Sequence, residues 1–192
     1  MESTRIDVKV CGRFGRPLEA FLPALHGWVA TGALDETWVD VAPYLHVPDG
    51  PGIVVVAHHA LYGLDQRDGI DGLRYQTRRP REPRRSRRPL EELVTEGIAR
   101  VLAAASDLRE RCGDDALEID TSRWIIGVPD RLNAPADDEV AWAEGRIALE
   151  RAVSTALGAA AVRCVPDTDA RRGLRWRVAA QGTVGERASQ TV

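Results

Sequence analysis

The sequence has 192 residues, and its 26 basic side chains nearly balance its 29 acidic ones, which gives a net charge of −3. A 44% share of hydrophobic residues is enough to build a core in one domain or two small ones, so the composition excludes an intrinsically disordered chain. No apolar run approaches the roughly 18 residues that span a bilayer, and the N-terminus lacks the apolar stretch of a signal peptide. The sequence therefore predicts a cytoplasmic protein that does not associate with membranes.

The first half of the chain reads as strand, helix and three further strands. Apolar and polar residues alternate over 6–10, which predicts a half-buried strand, and apolar residues recur at helical spacing over 18–29. The β-branched run at 53–57 is typical of a strand that is buried on both faces in the centre of a sheet. Short strands are predicted at 38–41 and 73–76.

The second half repeats a similar order. A long amphipathic helix is predicted over 90–108, followed by a bulged strand or tight hairpin over 117–128. The acidic and proline residues of 133–139 favour the start of a helix that runs to Leu157. Two strands, at 162–165 and 174–178, complete the chain.

This order predicts an α+β fold. Both halves contain a strand, a helix and a pair of strands joined at Val-Pro-Asp, so we expect two ferredoxin-like β-α-β-β halves that form antiparallel sheet with the helices packed on one face. The predicted segments are an N-terminal half at 1–77, an arginine- and proline-rich loop at 78–89, a C-terminal half at 90–180 and a flexible tail at 181–192.

Polar side chains cluster around the predicted central strand, and they are the candidate site. His58 and His59 follow the strand directly, Tyr62 and Asp65 come next, and His46 lies on the preceding loop. Strand ends and adjoining loops often carry binding residues. These five residues could line a small-ligand pocket, hold a divalent metal, or supply a histidine base, and they could equally be polar groups at a sheet edge. The spacing matches no named metal motif and identifies no cofactor.

An arginine-rich run between Arg78 and Arg88 contains seven arginines and one glutamate, so it carries +6 and the rest of the chain carries −9. Such a run attracts phosphates, but the acidic remainder would repel a polyanion, so nucleic acid is the less favoured partner. Alternatively, the run contacts an acidic protein surface or is a plain linker. The candidate partner-binding residues are Arg78, Arg79, Arg81, Arg84, Arg85, Arg87 and Arg88.

Three stretches resemble a bacterial family of uncharacterised proteins of similar length. They are Tyr44–Ile53, Tyr62–Asp65 and Asp130–Pro135. The resemblance would cover most of the chain. It implies no activity and transfers no catalytic residue.

The sequence as a whole favours a non-catalytic cytoplasmic protein that binds a small ligand or a protein partner, as a homo-oligomer. One alternative is a small hydrolase, lyase or isomerase with a histidine base or metal at His46, His58 or His59. The other is nucleic-acid association through Arg78–Arg88. Whether the protein is an enzyme is left open by the sequence.

Overall fold

The structure is a computed structural model, and it describes residues 1–82, 86–130, 138–167 and 173–182. The helices found in these residues are α1 (Leu22–Thr31), α2 (Leu90–Cys112) and α3 (Glu139–Leu157). The strands are β1 (Glu2–Ser3), β2 (Asp7–Phe14), β3 (Trp38–Pro43), β4 (Ile53–Ala57), β5 (Ala60–Asp65), β6 (Gly72–Thr77), β7 (Arg88–Pro89), β8 (Leu117–Val128), β9 (Ala161–Pro166) and β10 (Leu174–Gln181).

Most of these strands belong to one large antiparallel sheet with the order β3-β4-β5-β6-β2-β8-β10-β9, while β1 and β7 form a separate pair. The predicted α+β class and the antiparallel sheet are therefore confirmed. None of the helices in the described residues is long and apolar enough to cross a membrane.

The chain divides into two compact units. The α1 unit consists of Lys9–Arg78 and Arg100–Asp120, and it holds α1 with strands β3 to β6. The α3 unit consists of Met1–Val8, Arg79–Ala99 and the described part of Thr121–Val192, and it holds α3 with β9 and β10.

Strand β4 has the predicted bounds but not the predicted burial. It lies second from the end of the sheet, and Val54 and Val56 are half-buried while Ile53, Val55 and Ala57 are buried. The prediction of a central strand buried on both faces is therefore wrong. An uninterrupted β-branched run is compatible with either burial pattern, because β-branched residues favour strands whether one or both faces are covered.

Strand β5 is not among the strands that the sequence predicts. It pairs with β4 as a hairpin whose turn is formed by His58 and His59. Tyr62 therefore lies within a strand and Asp65 at its end. What the sequence presented as one polar cluster is a hairpin turn at one end of β5 and a carboxylate at the other.

In the second half of the chain, the ends of the helices agree with the prediction, whereas the end of the arginine-rich loop does not. Helices α2 and α3 are followed by Gly113 and Gly158, whose φ angles of 98° and 61° suit glycine at a helix end. Residues 117–128 form one continuous strand. The predicted helix start at 133–137 lies outside the described residues, as do 83–85 of the arginine-rich loop. That loop ends earlier than predicted, because residues 88–89 pair with β1 through backbone hydrogen bonds.

The exposed edge of β3 is closed to further strand pairing by its own residues. The N–H of Tyr44 donates to the carbonyl oxygen of Gly52 on the β4 side. Because the backbone groups of successive residues face opposite sides, those of Val41 and Pro43 face outward. The side chain of Asp40 accepts the Val41 N–H at 2.8 Å, and proline has no N–H to offer. A register shift between residues 38 and 40 adds a bulge. These are known devices that prevent edge-to-edge aggregation.

Opening this edge should cause self-association. We expect the double variant Asp40→Ala with Pro43→Val, which frees one outward N–H and creates another, to sediment as species larger than the wild-type protein. The single variant Asp40→Ala keeps the proline and should sediment like wild type. Sedimentation velocity over a range of protein concentrations tests this, and a double variant indistinguishable from wild type would contradict it.

Candidate functional site

A buried carboxylate organises the end of β5. The side chain of Asp65 is about 3% exposed and accepts hydrogen bonds from Lys9 Nζ at 2.8 Å and from Arg67 Nε at 2.6 Å. The backbone N–H and Nη2 of Arg67 also bond to it, and Arg74 Nη1 lies 3.5 Å from Oδ2. Three cationic side chains thus converge on one carboxylate.

Lys9 holds the turn that follows β5. Its side chain is 4% exposed, and its ammonium group donates to the backbone carbonyls of Arg67 and Ile70 as well as to Asp65. An ammonium group has three N–H donors, so these bonds satisfy it fully. The sequence carried a signal for this role, because Lys9 is the only lysine of the chain and lies between buried Val8 and Val10.

A pocket of about 120 Å³ lies next to Asp65 on β4, β5 and β6. The register places Gly63 between Val54 on β4 and Arg74 on β6, and the missing side chain at Gly63 leaves the hollow between them. A Cβ built at Gly63 would meet only the carbonyl oxygen of Ile53, at 3.5 Å. The lining residues are Pro51, Val54, Leu61, Tyr62, Gly63, Asp65, Arg67, Arg74 and Gln76.

The five predicted site residues fall into separate places. Tyr62 and Asp65 line this pocket, whereas His46, His58 and His59 are not among its lining residues. His46 lies on an exposed turn, and the two neighbouring histidines are exposed on the β4–β5 turn, with Nδ1 of His58 3.1 Å from Nε2 of His59. In the described part of the chain, no group of three or more His, Cys, Asp or Glu residues is placed to hold a metal ion.

The hydroxyl of Tyr62 is committed to a buried contact. It donates to Glu36 Oε1 at 2.9 Å, and Arg100 Nη1 lies 3.8 Å from the same oxygen. Burial and the Glu36 carboxylate raise the pKa of Tyr62 well above its usual value, so the group stays a neutral donor. Its ring packs against Trp38 and Tyr75, each with centroids 5.1 Å away. Tyr62 therefore anchors β5 in the core.

Among the predicted partner-binding arginines, Arg78 and Arg88 make hydrogen bonds within the chain. Arg78 donates through Nη1 to the carbonyl oxygen of Ala57 at 3.1 Å, and Arg88 donates through Nη1 to Glu96 at 2.7 Å. Arg79, Arg81 and Arg87 are exposed, while Arg84 and Arg85 lie outside the described residues. Contact between this segment and acidic groups of its own chain thus occurs at Arg88.

No protein-family model and no curated protein matches the chain. The resemblance at Tyr44–Ile53, Tyr62–Asp65 and Asp130–Pro135 stays a prediction.

Proposed function

We propose that the protein binds a small organic anion, with a carboxylate head and an apolar body, in the pocket beside Asp65. The observation that carries this proposal is the convergence of two arginine side chains, Arg67 and Arg74, on a pocket whose opposite side is apolar. This is a binding function of the class that the sequence favoured, with Arg67 and Arg74 in place of the histidines.

The charge at the pocket favours an anion. The two positive charges of Lys9 and Arg67 already exceed the single negative charge of Asp65, and Arg74 adds a third positive charge near that carboxylate. Arg67 is about one-third exposed and directs Nε and Nη2 at Asp65, which leaves further N–H donors on its guanidinium group. Because Asp65 fixes the orientation of Arg67, a bound carboxylate would meet a guanidinium that is already ordered.

The shape of the pocket restricts the ligand to a small molecule. Pro51, Val54 and Leu61 offer apolar surface beside the guanidinium groups, and the Gln76 amide adds a polar contact. Ligand sites typically combine such apolar walls with a few convergent polar groups. A volume of about 120 Å³ suits a fragment-sized acid such as benzoate, which serves as the probe.

Binding of benzoate is tested by titration followed with ¹H–¹⁵N NMR spectra of the intact chain. We expect shifts concentrated in β5, β6 and the turn at 66–70, and an affinity about tenfold weaker in Arg67→Gln, because a hydrogen bond to a charged group contributes about 1.5–3 kcal/mol. Gly63→Val, whose Cβ would lie at ordinary contact distance from the backbone and whose methyl groups would fill the hollow, should abolish binding.

The matched control is Arg13→Gln, since Arg13 is a more exposed arginine that pairs with Glu118 away from the pocket. This variant should bind benzoate like wild type. Equal weakening in Arg13→Gln and Arg67→Gln would mean that only the net charge matters. Unchanged binding in Gly63→Val would place the ligand elsewhere. Either result would refute the proposal.

We further propose a cytoplasmic location and a ferredoxin-like origin of the two halves. The described cysteines are free thiols, which agrees with the proposed cytoplasmic location. A ferredoxin-like origin of the two halves is supported by the β-α-β-β order of β8, α3, β9 and β10. Nucleic-acid association through Arg78–Arg88 gains no support from the contacts of Arg78 and Arg88 within the chain.

A further inference from the structure

Strand β9 of the α3 unit is the last strand of the sheet order, and within the described residues no strand lies on its outer side. Its inner side pairs with β10 in antiparallel register, and the N–H of Asp167 donates to Arg175 at 2.8 Å. Backbone N–H and C=O groups of successive strand residues face opposite sides of the strand. Since Asp167 faces β10, Val162 and Cys164 face outward. Two N–H donors therefore face away from the sheet.

This edge has fewer of the devices that close β3. No bulge interrupts the β9–β10 register between residues 161 and 166, and no carboxylate side chain accepts the N–H of Val162 or Cys164 in the described contacts. Pro166 removes only one outward donor, at the end of the strand. An edge with open donors is a template for pairing with another strand.

Helix α3 packs against β9 and carries a self-complementary pair of charges. Arg146 and Glu150 are one helical turn apart, with side chains that are 53% and 35% exposed, and their charged atoms lie 3.9 Å apart. Burial and the Glu150 carboxylate together raise the pKa of the Cys164 thiol on β9 to about 12, and Arg146 opposes this, so both charges act on this strand. A two-fold axis beside β9 would run two copies of α3 antiparallel, which sets each Arg146 against the other Glu150.

We propose that β9 pairs with β9 of a second copy of this chain, so that the protein forms a two-fold symmetric dimer by extension of its sheet. The pairing partner is a second copy because antiparallel self-pairing uses both the outward N–H groups of β9 and the Arg146–Glu150 pair of α3. The strand supplies donors and acceptors to itself, and the helix beside it supplies both members of an ion pair.

The side chains of β9 select the register of this pairing. If the axis passed through Arg163, two arginines would lie directly opposite each other, which is destabilising. If the axis passes through Cys164, Arg163 lies opposite Val165 and all four outward N–H groups find a carbonyl. The dimer is therefore centred on Cys164.

Sedimentation equilibrium of the full chain tests the proposal, with Val162→Pro as the first variant. Proline at this position removes an outward N–H and none of the β9–β10 hydrogen bonds, so the variant should keep its circular dichroism spectrum and become monomeric. The matched control is Val162→Thr, which retains the N–H and β-branching and should remain dimeric.

A charge-reversal pair tests the helix contact independently. Arg146→Glu should weaken the dimer by tenfold or more, because it places two glutamates against each other across the axis. Adding Glu150→Arg should restore the wild-type dissociation constant, because the reversed pair is again self-complementary. A wild-type chain that stays monomeric at all concentrations, or a dimer that persists in both Val162→Pro and Arg146→Glu, would overturn the proposal.

Discussion

Replacing Asp65 with alanine is expected to lower the free energy of unfolding by about 3–5 kcal/mol. The substitution leaves the charged side chain of Lys9, which is 4% exposed, without its carboxylate partner. An uncompensated buried charge costs far more than the loss of an exposed ion pair, because the group cannot recover its hydration. Urea unfolding followed by tryptophan fluorescence measures the change.

Removing both members of the pair should cost much less than removing one. In the double variant Lys9→Met with Asp65→Leu no buried charge remains unpaired between these two positions, and apolar replacements of a buried pair are often neutral. The matched surface control is Glu118→Ala, which removes an exposed partner of Arg13 and should change stability by less than about 1 kcal/mol. Additive losses in the double variant would show that the two residues are not coupled.

The Lys9–Asp65 pair is also a contact that the sequence alone does not reveal. Helices α2 and α3 and strands β4 and β6 follow from periodicity and from glycine at helix ends, because those signals are local. Lys9 and Asp65 are 56 positions apart, and only the pairing of β5, β6 and β2 brings them together. No local pattern encodes that neighbourhood.

The residues predicted as one site are separated in the structure for a related reason. His58 and His59 attract attention because histidine is rare in this sequence, but the β4–β5 hairpin turns them outward, away from the pocket. Gly63 creates that pocket by having no side chain. A glycine inside an apolar run signals close backbone approach or a bend, and nothing in the run itself indicates a hollow opposite Arg74.

Gly145→Ala is expected to destabilise the fold, although alanine is the better helix former by about 1 kcal/mol. A Cβ at Gly145 would lie 2.6 Å from Cη2 and 2.7 Å from Cζ2 of Trp176, whose side chain is fully buried. A buried indole ring cannot move aside freely, so overpacking should lower the free energy of unfolding by about 1–3 kcal/mol.

The loss of stability in Gly145→Ala should be smaller when Trp176→Phe is also present, because the smaller ring lacks the atoms that the alanine methyl group would meet. Trp176→Phe alone leaves a cavity and should also destabilise, but it removes an Nε1–H that is buried and has no hydrogen-bond partner in the described residues. The double variant should therefore be more stable than the sum of the single losses predicts. Thermal unfolding of the four proteins in this cycle measures the coupling, and strict additivity would mean that α3 shifts away from β10 instead of packing tightly against Trp176.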